Sequence, residues 1–447
     1  MPARIRLISG VTVAALVLLF ATLAVITQGA RTGLRAIGHD AGPQVVATAG
    51  LYLALSDMDG QVALLLLMGG GRDERRAEAL LRYERSRTEA GRALLRASAL
   101  AGDDAREGRT VQAVLDGLGR YERTAARALL LAEQAGYDAG PPPERVLRTY
   151  RAATDLMREE LLPQAYNLTL ESGTTVRRVH DETRSSLTTG RAVVAAAGVL
   201  ALGCLVALQV YLARRFRRLF GPALVLASAV TAMYVLTGLH VSAREADALV
   251  AAKRDGFDAV LLLARARAIG NGMHADQTRY LLDPERADTY EHTYLDAAQS
   301  VLYLEATSVH AYHERVAAAA AAPEGGRRPA FAGFLGSALA MRDASGTRPV
   351  LAAYDRLQRS DADLRRRASG GETGQALSVL LGPLTSDFDR YDATLLDLAG
   401  QHRTSFERSI ARGEDALADL WFLLPVAMVS IAVLVVAGIW PRLDEYR

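Results

Sequence analysis

The chain has 447 residues, half of them hydrophobic and only 6% aromatic, with 52 basic against 50 acidic side chains and a formal charge of +2. Four stretches, 7–30, 192–213, 219–243 and 420–441, carry no charged residue. Each reaches the roughly 20 apolar residues that a helix needs to cross a bilayer, which excludes an ordinary soluble enzyme, and the near-neutral charge gives no basis for nucleic-acid binding.

The first run, 7–30, follows Arg4 and Arg6 and is predicted as transmembrane helix 1. Its length exceeds the apolar core of a cleaved signal peptide, so it is read as an uncleaved anchor. An extracytoplasmic segment, 31–191, leads to transmembrane helix 2 at 192–213, which contains Cys204, the single cysteine; no disulfide within the chain is available. The loop 214–218 then holds Arg214, Arg215, Arg217 and Arg218. By the positive-inside rule this loop and the N-terminus are cytoplasmic. Transmembrane helix 3 at 219–243, a second extracytoplasmic segment at 244–419, transmembrane helix 4 at 420–441 and a cytoplasmic tail at 442–447 complete a multi-pass cell-membrane protein with both termini inside. Trp421 and Trp440 bracket the last run as an aromatic belt. The cytoplasmic pieces are too short for a kinase or cyclase domain, and no span carries Asp, Glu, Lys or Arg, which argues against an ion pathway.

Residues 1–218 and 219–447 thus repeat one plan of span, large external segment and span. Gly69-Gly70-Gly71, Ala101 to Asp104 and Gly140 to Pro143 cut the first segment; Asp283-Pro284, Pro323 to Pro329, Gly346 to Pro349 and Ser369-Gly370-Gly371 cut the second. The pieces between are long, rich in Ala, Leu and Arg, and read as helices, four per segment so that the chain returns to the membrane face it left. The expected fold is an all-α membrane protein with four transmembrane helices and two tandem extracytoplasmic four-helix bundles. It resembles the external sensor bundle of bacterial chemoreceptors, duplicated. A heptad seam through Leu381, Leu384, Phe388, Tyr391, Leu395, Leu398, His402, Phe406, Ile410, Gly413, Leu417 and Leu420 enters the last span. Three consecutive steps of four make a stutter at His402, which marks this residue as a candidate in signal relay, against the plainer reading of a core histidine. Val176, Val179, Thr183 and Leu187 form a shorter seam into the second span.

Asp57 and Asp59 in the first segment, and Asp276 and Arg279 in the second, are candidate contacts for an amino-acid ligand or a protein partner; a helix face with its caps is the bland alternative. A shift of 217 aligns Asp59 with Asp276, as if one helix had been duplicated. His310, His313 and Glu314 have helical spacing compatible with a metal, but helix surfaces often carry such residues, and no metal is expected. No P-loop, GxSxG or dinucleotide fingerprint occurs, so neither enzymatic activity nor a cofactor is expected. Arg214, Arg215, Arg217, Arg218, Arg442 and Tyr446 enforce topology and are candidates for docking a cytoplasmic protein.

Leu51 to Gln61, Arg265-Ala-Arg-Ala268, Thr278 to Pro284 and Trp440 to Arg447 together resemble the actinobacterial four-span membrane proteins of the GlnX type. The resemblance covers the layout of nearly the whole chain. It implies a non-enzymatic signalling protein that relays extracellular glutamate or aspartate availability from a solute-binding lipoprotein outside to a serine/threonine protein kinase, protein kinase G, inside. A structural membrane scaffold or transporter accessory is the alternative, and homo-oligomerisation is left open.

The arginine distribution generates a direct test of topology. Cysteines introduced singly at Gly70 and Gly371 are expected to react with an impermeant maleimide on intact cells; absence of labelling at both overturns the orientation.

Overall fold

The computed structural model describes residues 2–35, 38, 42–71, 74–101, 105–216, 222–322, 332–340 and 347–444. Among them there are fourteen α-helices and no sheet, a lone bridge pairing Tyr303 with Ala332. The first half contains α1 (Pro2–Arg35), α2 (Gly42–Leu67), α3 (Glu74–Ala101), α4 (Ala105–Ala135), α5 (Glu144–Leu156) and α6 (Leu162–Phe216). The second contains α7 (Pro222–Ala251), α8 (Asp258–Leu282), α9 (Ala287–Val301), α10 (Val309–Ala321), α11 (Gly333–Ala340), α12 (Thr347–Ser369), α13 (Thr373–Val379) and α14 (Thr385–Asp444). The helices divide between two compact units, one of Met1–His39, Val176–Lys253 and Phe406–Arg447, the other of Asp40–Thr175 and Arg254–Ser405.

The first unit gathers the apolar runs. Leu16, Leu19 and Leu23 of α1, Ala201, Leu205 and Leu208 of α6, Leu224 and Ala227 of α7, and Ile431 and Val435 of α14 share its core. Val17, Val25, Val199, Leu236 and Val433 face outward and stay exposed, as helices apolar on every side do in lipid. With lipid as apolar as the interface, close approach and polar glue hold such helices together. A Cβ on Gly198 would come within 2.8 Å of Val235, and one on Gly438 within 2.6 Å of Leu224. The buried Gln209 donates to the Leu224 carbonyl at 2.9 Å and to Ser228 at 2.7 Å.

By length and composition, four helices could cross a membrane: Leu7–Gly33, Thr48–Leu67, Asp181–Arg214 and Pro222–Arg244, with Pro425–Gly438 a shorter apolar segment. The stretch Thr48–Leu67 differs from the others, since 67% of it is buried inside the protein and it carries Asp57 and Asp59. It is apolar because it is the central helix of the second unit.

That second unit contains most of the two large segments that the sequence places between apolar runs. Where the sequence leads one to expect two bundles in tandem, the segments share one core, to which α2 contributes Leu51, Leu55 and Met58, α8 Leu263 and Met273, and α14 Tyr391 and Leu395. The reason is the composition of α2, which is buried on more than one face and packs against both α3 and α8. The first segment follows the expected four pieces, α2, α3, α4 and a last one that a π-type turn divides into α5 and the start of α6. The second has more, because α9 ends at Val301 without Gly or Pro to announce it. Side chains stabilise that break: Tyr312 donates to the Ala298 and Leu302 carbonyls at 2.8 Å each, Gln299 to Ala306, and Ser308 accepts from the Ala311 N–H as the cap of α10.

The breakers at Gly69 to Gly71, Gly140 to Pro143, Asp283-Pro284 and Ser369 to Gly371 act as read. α2 stops before Gly69, whose φ of 69° suits glycine and where a Cβ would collide with the Tyr137 carbonyl. Residues 102–104, 323–331 and 341–346 lie outside the described residues. Wide π-type turns, Met157–Leu161 and Leu380–Leu384, join α5 to α6 and α13 to α14. Both lie at a proline, Pro163 and Pro383, whose missing N–H breaks the regular ladder. The second turn shifts the heptad seam by one residue, so that Leu380 is fully buried and Leu381 only partly. Leu384, Phe388, Tyr391, Leu395, Leu398, His402, Ile410 and Gly413 are buried as the seam requires, and Phe406 half-buried; Leu187 is buried and Thr183 half-buried, while the side chains of Val176, Val179, Leu417 and Leu420 lie outside the described residues.

His274 stacks on Phe388 with ring centroids 4.4 Å apart and its Nδ1 3.0 Å from Gln277. Burial lowers its pKa below the ordinary value, against opposing effects of Gln277, Asp389 and Asp57. The native ring therefore stays neutral where the unfolded chain is already protonated, so the stability it contributes is complete above the unfolded pKa of about 6.5 and is lost as pH falls towards the native one. The melting midpoint of His274→Phe is expected to fall less between pH values of about 7.5 and 5.5 than that of the parent chain; equal falls would contradict this.

Candidate functional site

The contact between α2 and α8 determines the site. A Cβ on Gly60 would lie 3.3 Å from that of Ala275, and one on Gly272 3.8 Å from the Ser56 hydroxyl. Small residues at this crossing bring the two helices close enough for short polar side chains to meet. Arg279 of α8 donates from Nη2 to Asp59 of α2 and from Nη1 to Asp276 of its own helix, both at 2.5 Å, and from Nε to the Tyr150 hydroxyl at 3.1 Å. Tyr121 at 3.1 Å and Thr154 at 2.7 Å donate to Asp59, and Thr293 at 3.0 Å to Asp276. All four carboxylate oxygens are thereby satisfied. Burial alone would disfavour the charge on Arg279, but Tyr150, Asp59 and Asp276 overcome it and hold the guanidinium pKa well above its ordinary value. Burial, then the charge of Asp59, pushes the Tyr121 hydroxyl up.

Three of the four candidate contacts are therefore brought together, but as a buried ion triad rather than an exposed patch: Asp59 is 0%, Asp276 6% and Arg279 4% accessible. Asp57 sits on another face of α2, where it accepts from Gln61 at 3.1 Å and from Ser86 of α3. His402 is buried in α14 as a core histidine would be. Arg214 is exposed at the end of α6; Arg217, Arg218 and Tyr446 lie outside the described residues, as do the side chains of Arg215 and Arg442. Of the histidine pair, His310 is exposed beside Glu314, whereas His313 is half-buried with its Nε2 2.9 Å from Asp361. Burial raises the Asp361 pKa, but Arg365 and His313 outweigh it and hold the carboxyl below its ordinary range. Among the described residues no group of three His, Cys, Asp or Glu is placed to hold a metal ion.

Beside the triad a cavity of about 590 Å³ opens between the two segments. Tyr52 and Ser56 of α2, Arg158 of the π-type turn and Leu162, Pro163 and Tyr166 of α6 form one wall; Arg265, Ile269, Asp276 and Arg279 of α8, with Phe334 of α11, form the other. Arg265 lies 5.7 Å from the ring centroids of both Tyr166 and Phe334, within the range of cation–π attraction. Burial, then the charge of Asp276, raises the Tyr52 pKa. The two arginines of the sequence run Arg265-Ala-Arg267 divide their work, since Arg267 forms a two-pronged ion pair with Asp392 of α14 at 2.7 and 2.8 Å. Sequence reasoning singled out the triad but missed Arg158, Tyr166 and Phe334. The one legible signal was Arg265 itself, which belongs to a motif of the resemblance without a role of its own.

The family model of the actinobacterial sensor domain matches residues 33–181. That region includes most of the first large segment and one wall of the cavity, and the family suggests a sensing or signalling role and implies a non-catalytic one. With the four apolar helices it also supports a multi-pass membrane protein. No curated protein and no solved structure matches the chain.

Removing one member of a buried ion network leaves the others uncompensated. Asp59→Ala is expected to destabilise the full chain by about 3–5 kcal/mol, against at most about 1 kcal/mol for Glu78→Ala, which breaks the exposed Arg82–Glu78 pair. Thermal unfolding followed by circular dichroism in detergent reads both, and a small shift for Asp59→Ala contradicts the assignment.

Proposed function

We propose that the chain is a membrane sensor whose extracytoplasmic unit responds to a small molecule and passes the response through the membrane along α6 and α14. The observation that carries this reading is the cavity lined by both external segments. Its wall includes the start of α6, one uninterrupted helix from Leu162 to Phe216. Its other wall, α8, reaches α14 through the Arg267–Asp392 pair, and α14 runs from Thr385 to Asp444. A change in the cavity has a continuous helical path along α6, and reaches α14 across the Arg267–Asp392 ion pair.

Following the resemblance to the GlnX type, the finer reading is a relay of glutamate or aspartate availability from a solute-binding lipoprotein outside to a serine/threonine protein kinase inside, with both termini cytoplasmic. The arginines at 214, 215, 217, 218 and 442, with Tyr446, would supply the cytoplasmic docking face. Because Asp59, Asp276 and Arg279 are buried, their role in this reading is to join the two segments rather than to touch a partner; exposed surface around them would do that.

Capture of the full-length protein from native membranes, with and without glutamate or aspartate, tests the relay. Both the lipoprotein and the kinase are expected, with the amount of one depending on the amino acid; capture of neither overturns it. A Gly-Gly insertion after Ala418 softens α14 and rotates the remainder of the helix by about 200°, whereas a seven-residue insertion that repeats the local heptad nearly restores the register. The first is expected to abolish the amino-acid dependence and the second to retain most of it. An unchanged response in the Gly-Gly variant rules out a rigid α14.

A further inference from the structure

We infer that the cavity between the two external segments is a binding site for an organic carboxylate, anchored by Arg265 and Arg158. The inference rests on the sensor reading above and supplies the ligand class.

The charges lining the cavity do not balance. Three arginines, Arg158, Arg265 and Arg279, face one carboxylate, Asp276. Arg279 and Asp276 are already engaged with each other and with Asp59. Neither Arg158 nor Arg265 has a carboxylate within ion-pair distance among the described residues, although nearly every other arginine of this unit that approaches its core does, Arg151, Arg267 and Arg365 among them. The Arg265 Nε is buried without a hydrogen-bond acceptor. A buried, charged donor left open in this way is costly and uncommon in native proteins. Tyr166 and Phe334 stabilise the cation by their ring faces but offer its N–H groups no acceptor in the guanidinium plane. A carboxylate does, in the two-pronged geometry that arginine favours.

The remainder of the wall requires an organic body on that anion. Tyr52, Leu162, Pro163, Tyr166, Ile269 and Phe334 are apolar or aromatic, a poor surround for inorganic phosphate, which needs donors on every side. The volume of about 590 Å³ falls within the roughly 300–1,000 Å³ of small-molecule sites and admits either an acidic amino acid or a larger aromatic acid. Arg158 adds a second observation. It projects from the π-type turn Met157–Leu161, the kind of irregular helical turn that recurs at functional sites, and that turn leads directly into α6. Binding at Arg158 therefore acts where the helix geometry is least regular.

The test uses the full-length chain in nanodiscs of zwitterionic lipid and calorimetric titration with L-glutamate, succinate, phenylacetate, succinamide, phenylacetamide and inorganic phosphate. At least one carboxylate is expected to bind, with the amides of the same shape and phosphate at least about tenfold weaker, as expected for loss of a charge-assisted hydrogen bond. Preference for glutamate and succinate identifies small acids as the source, and preference for phenylacetate identifies aromatic acids. Arg265→Gln and Arg158→Gln, each checked for an unchanged melting midpoint without ligand, are expected to weaken the preferred carboxylate by about tenfold or more. Arg158 is half-exposed, so its variant folds even where the other does not. Binding of amides or phosphate as tightly as carboxylates, full affinity in the Arg158 variant, or no binding by any carboxylate at millimolar concentration overturns the site. Partner capture that responds to glutamate without carboxylate binding by the purified chain sinks this site and leaves the relay standing, whereas binding without any change in capture does the reverse.

Discussion

The buried guanidinium of Arg279 between Asp59 and Asp276 is the constraint on which the second unit depends. Moving such charges out of water costs several kcal/mol per ion even after relaxation, and the cost is met only if every acceptor and donor finds a partner at short range. Here that demands residues from α2, α4, α5, α8 and α9 at once: Asp59, Tyr121, Thr154 and Tyr150, Arg279 and Thr293. Since Asp59 and Arg279 are 220 positions apart, the charge can be buried only when both large segments are folded together. The region matched as a sensor domain, 33–181, supplies Asp59 but not its cation.

The same constraint creates the cavity. Small residues at Gly60, Ala275 and Gly272 let α2 and α8 touch near the triad, while Tyr52, Tyr166 and Phe334 are too large to allow equal closeness further along. The helices are pinned at one level and held apart at the next, leaving space lined by Arg158 and Arg265. The wall atoms there forgo the dispersion contacts that direct packing would give them. In a unit otherwise filled by seven fully buried tyrosines, the space is a feature of the design.

Much of the architecture was legible in the sequence because it derives from one-dimensional signals. Uncharged runs marked the apolar helices, Gly69, Pro143 and Gly371 marked ends, and the ladder from Leu384 to Leu398 marked the buried face of α14. The sequence also suggested a duplication, through the alignment of Asp59 with Asp276. That alignment suggests two similar helices in similar surroundings, whereas the folded chain has one pair of helices in contact, sharing a single arginine. Whether a duplicated segment folds beside its copy or into it depends on the second apolar face of α2, and local periodicity treats an all-round apolar helix as a span or a core helix alike. The break after Val301 was invisible for a related reason, since Tyr312 and Gln299 stabilise it across a tertiary contact.

The two halves also share a local feature with different consequences. Each passes from the second unit towards its last span through a π-type turn at a proline, Met157–Leu161 before Pro163 and Leu380–Leu384 around Pro383. An inserted residue in a helical turn rotates everything after it by about 100° relative to a regular helix, so each turn resets which face of the next helix is buried. In the second half the reset serves packing: Leu380 and Leu384 both enter the core, and the seam continues in phase to His402. In the first half Met157 and Leu161 occupy the equivalent buried positions, but the residue between them that faces the cavity is Arg158. The turn at Pro383 serves packing alone. The turn before Pro163 places a cation where two segments, an ion triad and the start of a long apolar helix meet, and this difference leaves a chain with two similar turns a single site.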